Sequence, residues 1–176
     1  CVDVYHPMAD GIALEGMRLV RDWLPAAYQD GNHIEARAHM MAAAAMGATA
    51  FQKGLGAIHS LSHPVGAVFD THHGLTNAVF MPYVLAFNQK AIGDKMERLA
   101  RFIGLKKPSF QAVLEWTLDL RQKFEIPHTA AELGVADGRV SDIAAMAALD
   151  PTAPTNPVPA GETEMRRIFD AAMEGR

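Results

Sequence analysis

The sequence predicts an all-α fold, a helical bundle, and three features predict it. Apolar residues recur three and four positions apart over most of the chain, the spacing that gives a helix one buried face. Gly, Pro, Asp and Asn cluster between those stretches as breaks. No alternating strand pattern, βαβ rhythm or internal repeat occurs. With 176 residues, 49% of them apolar and 20% charged, the chain is sized for one core, and residues 1–176 read as a single helical domain.

The first predicted helix, Ala9 to Tyr28, follows His6-Pro7 and carries Ile12, Met17, Leu19, Trp23 and Leu24 on its apolar face. Asp30-Gly31-Asn32 ends it. From Ile34 to about Phe51 the chain is rich in Ala and Met, both strong helix formers. Its block Met40–Met46 is expected to pack in the core. Gly54 and Gly56 interrupt, a short apolar segment leads into His59, and Pro64 marks a boundary or a kink. A helix is predicted over Leu75–Phe87 with a kink or restart at Pro82, and separate ones over Asp94–Ile103 and Ser109–Phe124, with Ser109 as N-cap. Val140–Leu149 is another. Asp150 to Pro159 holds four prolines and reads as an extended connection. Glu162–Glu174 closes the chain as an amphipathic helix.

Composition excludes several functions. Sixteen Lys and Arg against twenty Asp and Glu give a net charge of −4, and the basic residues are scattered, which argues against nucleic acid as a partner. No apolar run reaches the ~18–20 residues that cross a bilayer, so no membrane association is expected. The one cysteine, Cys1, cannot form a disulfide within the chain, and a cytoplasmic setting is expected. The start, Cys1-Val2-Asp3-Val4-Tyr5, has neither an initiator Met nor a signal pattern, and is expected to continue a longer protein.

Four of the eight histidines, His59, His63, His72 and His73, fall within fifteen residues. His59 and His63 are four apart, so a helix presents both from one face, and imidazole pairs on adjacent turns can share a Zn²⁺ or Fe²⁺ ion. Hydrogen-bonded core histidines are the plainer reading of the same residues. A zinc hydrolase built on His59 and His63 lacks a Glu between them, and its nearest carboxylate, Asp70, lies in the following loop. A non-catalytic helical module would need an exposed apolar face, for which Met40–Met46 is the candidate. His6 and Asp10 mimic a ligand pair, but Pro7 between them marks a helix start, where Asp10 reads as a cap or first-turn carboxylate. Trp23 and Trp116 read as packing anchors, Phe51 and Phe69 as core residues, and His33, His39 and His128 as solvent-exposed. Asp94-Lys95-Met96-Glu97-Arg98 reads as a solvated helix face.

The segment Gly54-Leu-Gly-Ala-Ile-His59-Ser-Leu-Ser-His63-Pro-Val-Gly66, followed by His73-Gly74-Leu-Thr-Asn77-Ala and Pro82, resembles the signature of the iron-containing (group III) alcohol dehydrogenases. Asp10–Glu15, Asp30–Arg37 and Asn156-Pro157 resemble its flanks, so the likeness spans the chain but only the C-terminal helical part of that family. It implies that His59 and His73 are two of four protein ligands of a catalytic Fe²⁺ or Zn²⁺. It further implies that His63 lies beside substrate and nicotinamide and relays a proton. His72 stands where many members have Pro, and reads as a surface residue. Asn77 is expected to steady the loop that holds His73. The resemblance also implies an NAD(P) cofactor, a small alcohol or aldehyde substrate and a homodimer. The other two ligands, an Asp and a His four apart, and the nucleotide-binding domain are expected before Cys1. The 176 residues alone are therefore expected to be catalytically silent.

Overall fold

Among the described residues the chain forms seven α-helices and no strand, as the spacing predicts: α1 (Pro7–Gln29), α2 (Ile34–Ala50), α3 (Ala57–Phe69), α4 (His73–Phe102), α5 (Phe110–Lys123), α6 (Val140–Leu149) and α7 (Glu162–Glu174). This computed structural model describes residue 2 and residues 4–176, with only the backbone of Asp137; Cys1 and the thiol reading attached to it lie outside the described residues. No helix among them is long and apolar enough to cross a membrane. The chain divides into two compact units, one built on Gly54–Gly93 and Leu114–Arg176, the other on Val4–Lys53 and Asp94–Val113.

In the second unit α1 and α2 pack against each other across a short turn. Two histidines start these helices. His6 Nδ1 accepts from the Ala9 N–H at 3.1 Å, and His33 Nδ1 accepts from the Ala36 N–H at 3.2 Å, each satisfying a donor that a helix N-terminus leaves open. The cap of α1 is thus His6, and Asp10 sits in its first turn. His33 and His39 are half-buried rather than exposed, because one caps a helix and the other stacks on Trp23 with ring centroids 4.3 Å apart.

The expectation of a buried Met40–Met46 is overturned. Ala43 is buried and Met46 lies against Gly16, but Met41 is 74% exposed, and Ala42, Ala44 and Ala45 are exposed too. Apolar side chains surround the whole of α2, so composition marks no inner face, and contact with α1 buries only one side. Phe51, expected in the core, is also exposed. The 3₁₀ turn Phe51–Lys53 after α2 carries Lys53 inward instead, where Nζ meets Asp10 Oδ1 at 2.5 Å.

That pair makes a pH prediction. Burial works against ionisation of Asp10, but the hydrogen bond and charge of Lys53, with the charges of Lys95 and Arg98, outweigh it and hold the carboxyl below its ordinary range. A carboxyl with a lowered native pKa stabilises the fold above its unfolded pKa, and that stability is lost as pH falls through the native value. Asp10 is 36% exposed, so screening keeps the gain to about 1 kcal/mol or less. Urea unfolding should therefore show Asp10→Asn less stable than the parent above about pH 5, with the gap closing below about pH 4. A gap that stays constant down to acid pH contradicts the assignment.

In the first unit α3, α6, α7 and the leading part of α4 enclose a core in which Leu61, Phe80, Ile143, Met165 and Phe169 are fully buried, the Phe80 and Phe169 rings 5.9 Å apart. The two helices expected over 75–87 and 94–103 are one, α4, thirty residues long with Pro82 inside it. Asn88 and Ile92 are buried along the stretch expected to be a break, and that burial outweighs the roughly 1 kcal/mol that Gly93 costs a helix. Pro64 likewise lies buried within α3. Ser109 caps α5, its Oγ accepting from the Ala112 N–H at 3.1 Å. The proline-rich segment after α6 is not simply extended: it closes a 3₁₀ turn over Ala153–Thr155, followed by buried Asn156.

Candidate functional site

Three imidazoles meet at the start of two helices in the first unit. His59 and His63 project from one face of α3, and His73 is the first residue of α4. Ring centroids are 5.8 Å apart for His59–His63, 5.3 Å for His59–His73 and 5.5 Å for His63–His73, the last pair stacked. His73 therefore belongs to a helix, not to a loop steadied by Asn77. The residue before it makes that possible. His72 is exposed, as expected, and its Nδ1 accepts from the Leu75 N–H at 3.2 Å, so it caps α4. Gly74 leaves room for that ring: a Cβ there would lie 3.3 Å from His72 Cε1.

Asn77, one turn into α4, ties two of the rings together. Its Nδ2 lies 3.3 Å from His59 Nε2 and 3.0 Å from His73 Nε2, the amide donating to both. Both Nε2 lone pairs thus face one point, which fixes the proton of each neutral ring on Nδ1. Asn77 Oδ1 is buried without a hydrogen-bond partner. Burial first, and then the nearby His73 and His63, push the pKa of His59 down against the opposing pull of Asp150, so this ring stays neutral near pH 7.

This donor set fits a borderline divalent cation. Neutral imidazole nitrogens suit Fe²⁺ and Zn²⁺, and two aimed at a common point are part of a tetrahedral set. It is only part: among the described residues no three His, Cys, Asp or Glu side chains form a group that could hold an ion. Asp70, the carboxylate that a hydrolase would need, sits exposed at the C-terminus of α3 in left-handed backbone. In the second unit, His6 and Asp10 are engaged in helix capping and with Lys53.

The third ring is held differently. His63 Nδ1 lies 2.8 Å from Asp150 Oδ2. Asp150 Oδ1 accepts from the Thr152 N–H at 2.8 Å and from Thr152 Oγ1 at 2.6 Å. Thr152 Oγ1 is also 2.9 Å from Ser60 Oγ, which donates to the Gly56 carbonyl at 3.1 Å. Burial disfavours the charged Asp150, but the two Thr152 donors and His63 outweigh it and lower its pKa. Sequence reasoning missed Asp150 and Thr152. The available signal was Asp-x-Thr directly after a helix, the spacing at which an Asp side chain bonds the backbone two residues on.

Residues 4–173 match the Fe-containing alcohol dehydrogenase family, C-terminal. The chain is 37% identical over 180 residues to 4-hydroxybutyrate dehydrogenase of Cupriavidus necator, a match that spans 96% of the chain and 46% of that protein. It is 34% identical to the NAD-dependent methanol dehydrogenase of Bacillus methanolicus, across 95% of the chain and 46% of that protein. The crystal structure of a 1,3-propanediol oxidoreductase superposes with a TM-score of 0.93 at 28% identity, over 98% of the chain and 47% of that one. The iron-containing alcohol dehydrogenase of Thermococcus thioreducens gives 0.88 at 28% identity, over 99% and 46%. The chain belongs to the iron-containing alcohol dehydrogenase family and corresponds to its C-terminal helical part. It spans about half the length of the curated relatives it matches.

Proposed function

We propose that this chain is the metal- and substrate-side half of an NAD(P)-linked alcohol dehydrogenase that interconverts a small alcohol and its aldehyde or ketone, and that it works in the cytoplasm as a homodimer. His59 and His73 hold the divalent ion, Fe²⁺ or Zn²⁺, through Nε2, and two further ligands come from outside these 176 residues. The observation that carries this reading is the pair of Nε2 atoms facing one point at the Asn77 amide, 3.3 and 3.0 Å from its nitrogen. When bound, the ion would supply Lewis acidity at the substrate oxygen and a nicotinamide would supply the hydride acceptor or donor for the substrate carbon. Asn77 Nδ2 sits where both Nε2 lone pairs converge and holds both rings with Nδ1 protonated, and an ion would take its place there. His59, kept neutral by burial, leaves the positive charge of the ion uncompensated. His63, 41% exposed beside both ligand rings, takes the hydroxyl proton at Nε2 as the O–H bond breaks and returns it to water.

Metal binding tests the ligand assignment. After anaerobic exposure of the purified 176-residue chain to Fe²⁺ or Zn²⁺ and removal of loose ion, retention well below one ion per chain is expected. His59→Ala and His73→Ala should each weaken the residual binding at least about tenfold. The same chain should give no NAD(P)-linked oxidation of a primary alcohol. One tightly held ion per chain, affinity unmoved by both variants, or turnover by the isolated chain would each overturn the two-ligand reading.

A further inference from the structure

We propose that Asp150 is a positioning residue for His63: it fixes the neutral ring with its proton on Nδ1 and so keeps the lone pair on Nε2. The inference rests on the reading of His63 as the proton relay, and it adds what makes that ring fit for the task. A free imidazole favours its proton on Nε2, the wrong atom for a group that must accept there. A carboxylate oxygen 2.8 Å from Nδ1 can only accept, so it holds the proton on Nδ1.

The geometry goes further than a single contact. The other oxygen of Asp150 is saturated by the Thr152 N–H and Oγ1, at 2.8 and 2.6 Å, and the Asp150 side chain is only 11% exposed. Thr152 Oγ1 lies 2.9 Å from Ser60 Oγ and 3.4 Å from the Gly56 carbonyl, at the start of α3, the helix that carries His63. The carboxylate therefore has one fixed orientation, with Oδ2 presented to His63. As the residue that closes α6, Asp150 could serve the backbone alone. The Asx turn to Thr152 needs only one of its oxygens, and the second is directed at the imidazole.

This arrangement makes Asp150→Asn diagnostic. The amide oxygen keeps the two Thr152 donors, since an NH₂ group there would face two other donors. The NH₂ is then turned toward His63 Nδ1, which must accept, and the ring proton moves to Nε2.

The test is long-range ¹H–¹⁵N correlation on the metal-free 176-residue chain, labelled at histidine. It is run about two units above the ordinary imidazole pKa. His63 is assigned by the loss of its signals in His63→Gln. The parent is expected to show His63 Nδ1 at the protonated, pyrrole-type nitrogen position and Nε2 at the unprotonated, pyridine-type position. In Asp150→Asn the two should exchange places, while Thr152→Val, which keeps the carboxylate, should leave them as in the parent.

A parent ring protonated on Nε2 overturns the inference without recourse to any variant. So does an Asp150→Asn chain that stays folded and keeps the parent pattern. A purely structural Asp150 would shift stability and leave the nitrogen pattern alone. The proton-relay reading fails separately: a metal-loaded, dehydrogenase-active protein carrying this chain would turn over alcohol undiminished after His63→Gln.

Discussion

Asn156→Ala is expected to destabilise the chain by about 3–5 kcal/mol, because it strips partners from several buried polar groups at once. Asn156 Oδ1 accepts from the Ala57 N–H at 3.1 Å and from Asn88 Nδ2 at 3.0 Å. Its Nδ2 donates to Asn88 Oδ1 at 2.9 Å and to the Val158 carbonyl at 2.7 Å. Helix α3 begins after Gly56, which has no side chain to cap it. Asn156 supplies the missing acceptor from a segment 99 residues away in sequence. Ala57 and Asn88 are 1% and 3% exposed, so water does not readily replace what is lost. Each stranded group costs about 1–3 kcal/mol, less than additively within one network. The measurement is the urea midpoint and slope of parent and variant. A loss below about 1 kcal/mol would mean that the network is solvated or redundant. His59 lies two residues past Ala57, so the same variant should also weaken residual metal binding.

What the sequence made legible follows from how local each determinant is. The shared face of His59 and His63 depends only on spacing along one helix, and both do project from α3. The Ser109 cap is equally local, as is the division of most of the chain into helices. Where an outcome depended on a distant segment, the local signal misled. The gap expected between Phe87 and Asp94 is closed within α4, where Asn88 and Ile92 are buried. The prolines after α6 suggested an extended connection, yet that stretch presents Asp150 to His63 and Asn156 to α3. The buried face of α2 was not readable, because Ala and Met occur all around it. His73 read as a loop residue because histidine is not among the usual capping residues, so His72 gave no helix-start signal.

Gly54→Ala should be nearly as damaging, and for two separable reasons. Gly54 has φ +107°, a conformation closed to L side chains at a cost of about 1–3 kcal/mol. A Cβ there would also lie 2.5 Å from Thr155 Cβ and 2.7 Å from its Cγ2 and Oγ1, which forces Thr155 to move. Thr155 cannot yield by rotating a side chain, because its Cβ is fixed to the 3₁₀ turn and its Oγ1 donates to the Thr152 carbonyl at 2.8 Å. Overpacking of this kind costs a further ~1–3 kcal/mol, so a total loss of about 3–5 kcal/mol is expected. Thr155→Gly in the Gly54→Ala background should restore the overpacking part and leave the backbone strain, a recovery of roughly half. Full recovery would assign the whole effect to the contact; no recovery would assign it to φ. The turn that holds Thr155 also holds Thr152, and through it Asp150. In the single variant the His63 nitrogen pattern should therefore weaken along with stability, and in the double variant it should return, which ties the backbone of Gly54 to the ring beside the metal ligands.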